Sequence, residues 1–589
     1  MNNTSSGALR HLPLKGKAKN GFPPRPLSKK AIKSFIDSSS YRMKDNKAML
    51  RKNDEITVEI ERFGGEMGIA HLDGMTLFVQ GALPGETVVA RAQKVKSTHA
   101  FLKTLRVLSP APGRAKPACP YYEKCGGCVC QHMTYETSLD MKREVVRDAL
   151  RRIGGLEVDV QPVIGMDSPW RYRNKTALPV GGEKGKPLIG FYAPRSHRII
   201  DIEACLIARE ESDAVCAVLR RWMEKFQVEP YSEETHRGLV RHIMSRVSRA
   251  GQVMVVVIAT GPISHERELT AMLRAAVPGL CSLYLNINRR NDNVILGNES
   301  RLLWGEPRLN DTLCGLQYAL SPQSFFQVNP VQTEKLYQTA LDFTGLTGDE
   351  LVADLYCGAG TISLLLAQKA RRVIGIEIVP QAIRDAEENA KNNGVANAEF
   401  HAAAAEDLLP QLVAQGLRPD VVVLDPPRKG CEEAVLRAIA QAAPRRIVYV
   451  SCDPATLARD AKILASFGYA PAACQPVDMF CQTEHVETVL LLSKIKTALH
   501  IDIDLGMTEL DVTKAETKAT YEEIKAYVLE HTGLKVSCLY IAQVKAKHGI
   551  IERECYNKAK AEGNPVPKCP PEKEKAIEEA LRHFQMITD

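Results

Sequence analysis

Two short segments carry residues able to do covalent chemistry on an unreactive carbon. Ser451-Cys452-Asp453-Pro454 closes an apolar run, and 27 residues earlier a similar run closes in Asp425-Pro-Pro-Arg428. Carbon 5 of a uracil is a poor nucleophile, but a thiolate added to C6 makes it enolate-like, so a cysteine beside a methyl donor is what such chemistry needs. The methylated C5 still holds its proton, and a base must remove it before the thiolate can leave. Glu487, in His485-Val-Glu487, is the carboxylate placed for that task. Taken singly, Cys452 reads as a packing residue and Glu487 as a surface carboxylate. The order strand, DPPR, strand, SCDP, HVE favours the chemical reading.

A donor site is expected just upstream. Asp354-Leu-Tyr-Cys-Gly-Ala-Gly-Thr361 directly follows an apolar strand pattern. Its glycines let a turn pass close to a ligand, and the following helix points its N-terminus there. The next strand ends in Gly375-Ile-Glu377, whose carboxylate is placed for both hydroxyls of a ribose. An NAD-binding fold is the rival, but the GxGxxG spacing is missing, which favours a methyl donor. After Pro426-Pro427 an aromatic residue would suit an amine or adenine acceptor; Arg428 stands there instead.

Cys119-x5-Cys125-Gly-Gly-Cys128 brings three thiols within ten residues. That spacing suits a metal centre needing one more ligand, with Cys130 an extra local thiol and both zinc and iron–sulfur open. Sixteen cysteines with no apolar leader in the first thirty residues indicate a reducing compartment, and a cytoplasmic location is expected. No run of about 18 apolar residues appears, so no membrane span is expected.

These residues must be positioned by several domains, since 589 residues exceed one hydrophobic core. Residues 1–50 are a basic arm of net charge +9, leaving the remainder at −2. Lys15, Lys17, Lys19, Arg25, Lys29 and Lys30 suit RNA phosphates or a merely solvated tail. Residues 51–109 alternate in about five short β-runs punctuated by Gly64-Gly65, Gly74 and Pro84-Gly85, predicting a small oligonucleotide-binding barrel whose Arg91, Lys94, Lys96 and Lys103 face RNA or solvent. Residues 110–320 hold the cysteines, a helix over 135–155 and mixed structure with strands at GQVMVVVIA and NVILG. Residues 321–494 alternate strand and helix, predicting an α/β, Rossmann-like, doubly wound sheet. Residues 495–589 read as a small helix-rich domain, with helices over 514–531 and 570–584 and a short strand or helix at YIAQVK. There Lys514, Lys518, Lys525, Lys535, Lys545 and Lys547 suggest an RNA-facing side, against which Glu509, Glu516, Glu522 and Glu523 set a plain solvated surface. Cys538, Cys555 and Cys569 show no metal spacing.

The motifs at 354–361, 425–428, 451–456 and 478–487, with Ser324-Phe-Phe-Gln-Val-Asn329 and Trp170-Arg-Tyr-Arg-Asn-Lys175, resemble those of RNA uracil-C5 methyltransferases. The likeness runs from about 54 to 494 and is to the bacterial 23S ribosomal RNA branch. It implies that Gln327, Tyr356, Glu377 and Asp425 bind S-adenosylmethionine, that Cys452 is the nucleophile and that Glu487 is the base. It also implies that Cys119, Cys125, Cys128 and Cys205 hold a four-iron, four-sulfur cluster of structural role, and that the barrel is a TRAM RNA-binding domain. The expected partner is RNA, 23S rRNA before tRNA, with the target base flipped out, and the protein is expected to be a monomer. The chain departs from the family at Met479-Phe-Cys-Gln-Thr483, where Phe-Pro-His is usual. The basic and aromatic residues of 170–175, with His236-Arg237 and Arg241-His242, suit RNA contact or ordinary strand roles. A non-catalytic RNA-binding scaffold and an NAD-dependent redox enzyme using the cluster are the rival readings.

Overall fold

The computed structural model describes residues 50–495, 521–548, 569–584 and 586–587. The basic arm, Glu509, Lys514, Glu516, Lys518 and Cys555 lie outside the described residues. The described residues 50–495 form one compact unit, and those from 521 onward form another.

Short alternating runs build the N-terminal barrel. Its strands β1 (Glu55–Glu59), β2 (Arg62–Gly64), β3 (Met67–Leu72), β4 (Met75–Gln80), β5 (Thr87–Val95) and β6 (His99–Ser109) join in the order β1-β5-β6-β4-β3-β2. The three-residue β2 is the addition to the expected set. Along β5, Val88, Ala90 and Ala92 point inward against Leu77, Val79 and Leu102, while Arg91 turns out and pairs with Glu55. This is the period of two that puts one face of a strand in a core. Lys94, Lys96 and Lys103 are all exposed.

The helix Tyr135–Ala149 begins where the Thr134 side chain accepts from the Thr137 amide. It runs into a π-helical turn, Leu150–Gly154, and stops at Gly155, whose φ of 65° suits glycine. The central sheet then follows from β7 (Lys175–Glu183), β8 (Lys186–Tyr192), β9 (Ile199–Asp201), β10 (Val240–Val247), β11 (Val253–Ala259), β12 (Leu280–Ile287) and β13 (Glu299–Gly305). Their order is β13-β12-β11-β10-β7-β8-β9. Every residue of β10 and β11 is buried, because helices Glu210–Lys225 and Glu266–Ala276 cover one face. The expected strand at NVILG is absent. Asn288 donates to Val294 O and Ile295 O, and Asn286 donates to Gly297 O, so side-chain amides claim the carbonyls that a ladder would use. Residues 170–175 mostly serve internal ties: Arg171 binds Asp213, while Tyr172 and Asn174 are buried. Arg241 and His242 are buried too.

A hairpin of β14 (Leu309–Leu313) and β15 (Leu316–Leu320) leads into the last large sheet. That sheet comprises β16 (Leu351–Leu355), β17 (Arg372–Glu377), β18 (Ala398–Ala402), β19 (Val421–Leu424), β20 (Arg446–Ser451), β21 (Tyr469–Val477) and β22 (Glu487–Lys494), ordered β18-β17-β16-β19-β20-β22-β21. Strands β16 to β20 are parallel and alternate with helices on both faces, so their apolar runs are buried on two sides. Strand β22 inserts antiparallel between β20 and β21. The order reverses between β16 and β19, and at such a switch point a crevice opens outside the carboxyl ends of the strands.

In the C-terminal unit, helices Tyr521–Thr532, Cys538–Lys547 and Pro571–His583 pack around Ile524, Val528, Ile541, Val544, Ile577 and Leu581. YIAQVK is therefore helical. Lys545 is buried and Lys547 is held by Glu574 and Glu578, so these two do not contribute to a free basic face. Among the described residues no helix is long and apolar enough to cross a membrane.

Leu490 on β22 is fully buried in the core shared with β20 and the helix Pro454–Ser466. Leu490→Ala is expected to cost about 2–5 kcal/mol, read from the urea unfolding midpoint; a loss below 1 kcal/mol, roughly, would mean that β22 is not an integral strand.

Candidate active site

Sequence turns place each side chain of the site. Asp453 caps the helix Pro454–Ser466, its carboxylate accepting from the amides of Ala455 and Thr456 at 2.9 Å, and Pro454 starts the helix. Cys452 is thereby held in the sharp junction between strand and helix. The antiparallel ladder pairs Ser451 with Thr488. The next residues outward, Cys452 just past β20 and Glu487 at the start of β22, consequently lie side by side. Leu355, Ile376 and Leu424 are in parallel register, which brings Tyr356, Glu377 and Asp425 to the same edge.

Gln327 comes from a different element, the segment before helix Pro330–Thr344. Ser324 donates to Asp385, Arg246 donates to Ser324 O at 2.6 Å, and the Asn174 amide donates to Gln327 O. Asn329 caps the helix. All six residues expected for donor and catalysis, Gln327, Tyr356, Glu377, Asp425, Cys452 and Glu487, line one cavity of about 770 Å³. That volume is within the usual span of small-molecule sites, about 300–1,000 Å³.

The donor end has the shape that the glycine motif suggested. Gly360 has φ 78° and sits against Ala386 and Phe400, so a side chain there would be strained and crowded. Glu377 accepts from the Gly358 and Val379 amides, which fixes its carboxylate at the tip of β17. Ile378, Val379 and Phe325 add apolar surface. Tyr356 adopts φ 64°, an uncommon conformation for a bulky residue, and one concentrated at functional sites.

Electrostatics set the other end. Burial raises the Glu487 carboxyl well above the ordinary range, and Asp425 raises it further, with Arg428 opposing. Burial likewise raises Asp425. The Cys452 thiol is pushed up to about 11 by burial, then by Glu487 and Asp425, while Arg428 draws it down through its charge and a hydrogen bond. Arg428 also donates to His485 at 3.5 Å. In the sequence its place argues only against an aromatic residue; its contacts make it the cation that acts on the Cys452 thiol. Phe325, 70% exposed at the cavity mouth, Phe480 and His485 are further members, which stand in the quoted motifs but carried no assigned role in the sequence.

The cysteine motif forms a second cavity, of about 340 Å³, lined by Cys119, Cys125, Cys128 and Cys205. Cys205 arrives because Asp213 accepts from its amide and Arg171 donates to its carbonyl. Cys130 packs with Leu83, Met133 and Met141 instead and does not line the cavity. Among the described residues, no three His, Cys, Asp or Glu side chains converge closely enough to hold a single metal ion.

Residues 134–495 match the family model described as tRNA (Uracil-5-)-methyltransferase. The chain belongs to the RNA uracil-5 methyltransferase family. It is 48% identical over 448 residues to an uncharacterized RNA methyltransferase of Clostridium tetani, covering 75% of this chain and 97% of that relative. A similar protein of Halalkalibacterium halodurans is 46% identical over 454 residues, covering 76% and 99%. Among solved structures, the tRNA (uracil-54, C5)-methyltransferase of Pyrococcus abyssi, in complex with S-adenosyl-L-homocysteine, matches with a TM-score of 0.60 and 26% identity over 74% of this chain and all of that one. The match bears out both the family resemblance and the Rossmann-like methyltransferase fold with its N-terminal barrel.

Arg428→Met removes the cation that favours the thiolate. Iodoacetamide modification of Cys452 is expected to slow by about threefold or more at pH 8, its midpoint moving to higher pH. An unchanged rate would show that Arg428 does not act on the thiol.

Proposed function

We propose that this methyltransferase transfers a methyl group from S-adenosylmethionine to C5 of a flipped-out uridine in structured RNA, with 23S rRNA its first substrate and tRNA the nearest alternative. The observation that carries the reading is the ladder register that sets Cys452 beside Glu487 in the cavity that Gln327, Tyr356, Glu377 and Asp425 also line. The methyl-donor substrate supplies an electrophilic methyl on a sulfonium. The S-adenosyl-L-homocysteine in the solved neighbour supports the donor, and Gln327, Tyr356, Glu377 and Asp425, which line one cavity, are the residues that would bind it.

Cys452 loses its proton to solvent through the open cavity, aided by Arg428 and leaving Glu487 free for the later step, and its sulfur bonds to C6 of the uracil. The C6 adduct makes C5 a nucleophile that takes the methyl, and the S–CH₃ bond of the donor breaks. Glu487 then removes the C5 proton. The C6–S bond breaks, the C5–C6 double bond returns, and Cys452 leaves as thiolate. The proton on Glu487 passes to solvent. A carboxylate whose pKa is raised by burial holds an abstracted proton better than a free one, which suits this step. Phe325 offers a ring on which a flipped or neighbouring base can stack.

The rRNA preference rests on the sequence resemblance, and the barrel β1–β6 is read as the TRAM module. The iron–sulfur reading rests on the sequence resemblance, and its support in the structure is that the four cysteines line one cavity. Cys119, Cys125, Cys128 and Cys205 would hold a four-iron, four-sulfur cluster there, serving to join the cysteine loop to the central domain. Methyl transfer from a sulfonium needs no electron.

Incubation with labelled S-adenosylmethionine and unmodified 23S rRNA or tRNA tests the proposal. Label is expected in 5-methyluridine with the wild type, none with Cys452→Ala, and an RNA–protein adduct stable to denaturation with Glu487→Gln. Label in another nucleoside would overturn the acceptor, and full activity of Cys452→Ala would overturn the adduct.

The raised Glu487 carboxyl also sets a sign. Only its deprotonated form can accept the C5 proton, so resolution of the adduct speeds up as pH rises and levels off above the residue's raised pKa. In single-turnover experiments the midpoint is expected well above the ordinary glutamate value of about 4.3. A midpoint at that ordinary value would remove Glu487 as the base.

A further inference from the structure

The segment between β21 and β22 stands between the two cavities, since Arg428, Phe480 and His485 line both. Every backbone carbonyl from Asp478 to Gln482 is claimed by a donor from another part of the chain. Asp478 O accepts from the Gln332 side chain, Met479 O from Asn329, Phe480 O from Lys142 and Cys481 O from the Tyr172 hydroxyl. Gln482 O accepts from the amides of Val129 and Cys130, at 3.0 and 3.1 Å, immediately beyond Cys128. Beneath them Lys142 and Asp478 form an ion pair at 2.5 Å with both side chains fully buried, and the Tyr135 hydroxyl donates to the same carboxylate. Gln482 itself is held at φ 68°. A non-glycine residue keeps that conformation only where its surroundings over-determine it.

We propose that Asp478–His485 is a positioning strap that ties the cysteine loop 119–130 to the catalytic cavity, with Tyr172, Lys142 and Gln482 as its positioning residues. The proposal rests on the assignment of Cys452 and Glu487 above and adds what sets their geometry. The strap is short. Gln482 lies three residues before His485 and five before Glu487, so a shift of the Val129–Cys130 amides pulls directly on the chain that enters β22. A displacement of about 1 Å in such a site lowers a rate by up to about 100-fold. The unusual Met479-Phe-Cys-Gln-Thr483 sequence fits this role. Cys481 is fully buried against Tyr172 and Ile207, and the backbone of Gln482, rather than its side chain, makes the tie.

The test uses the full-length protein with its metal content as isolated. Tyr172→Phe removes one hydroxyl of the strap and leaves the four cavity cysteines intact. Cys125→Ser disturbs the cysteine loop from the far side of the strap. Three quantities are read without RNA or turnover: deuterium uptake of 478–486, the pH profile of Cys452 alkylation in its own peptide, and S-adenosylhomocysteine affinity by calorimetry. Both variants are expected to raise uptake in 478–486 by about twofold or more and to move the alkylation midpoint by roughly half a pH unit. Affinity for S-adenosylhomocysteine should stay within about twofold, because none of its proposed ligands lies on the strap. Effects of Cys125→Ser confined to 119–130, or an unmoved Cys452 profile in Tyr172→Phe, would overturn the strap. Tyr172→Phe decides alone if Cys125→Ser does not fold. These readouts hold whether or not a uridine is the acceptor, so failure of the strap and failure of the proposed chemistry remain distinct.

Discussion

Because β22 lies antiparallel between β20 and β21, the residue that begins it arrives at the edge where the parallel strands end. A parallel seventh strand would have carried Glu487 to the opposite edge of the sheet, out of reach of Cys452. The reversal converts residues separated by 35 positions into neighbours without any contact between them having to be encoded locally. It also means that Glu487 is fixed by a backbone ladder, which is stiffer than a surface loop. The donor side depends on the same edge in a different way, through the switch point between β16 and β19.

Burial at this edge creates an electrostatic conflict. Asp425, Glu487 and Cys452 all acquire negative charge when ionised, and all are raised by desolvation. Arg428 faces this group from the loop after the two prolines, and its fork is shared between the thiol and His485. The Pro-Pro turn therefore does more than shape a rim, since it fixes where that guanidinium can reach. On the other side of the same wall, the buried Lys142–Asp478 pair and the amides of Val129 and Cys130 leave little freedom for the segment that completes the site.

Much of this was legible in the sequence because the parallel strands are continuous apolar runs ending in unmistakable turns. Cys452, Asp425 and Glu377 could be placed at one edge from alternation alone, and the barrel followed from period-two patterning. Arg428 was visible only as an exception to an aromatic position, since no pattern announces that a surface-type residue will face a thiol. The ties of Tyr172 and Asn174 were hidden because basic and aromatic spacing looks the same whether a strand faces RNA or a neighbouring domain. NVILG misled through its β-branched content, which the asparagine side chains of β12 and its end overrode. The carbonyl ties of 478–482 could not be foreseen, because they belong to backbone atoms that carry no residue identity.

The thiol held near 11 gives the resting protein a chemical durability of its own. At neutral pH the thiol form therefore predominates, whereas oxidants and alkylating agents attack the thiolate. Reactivity is thus withheld from a thiol that lines an open cavity.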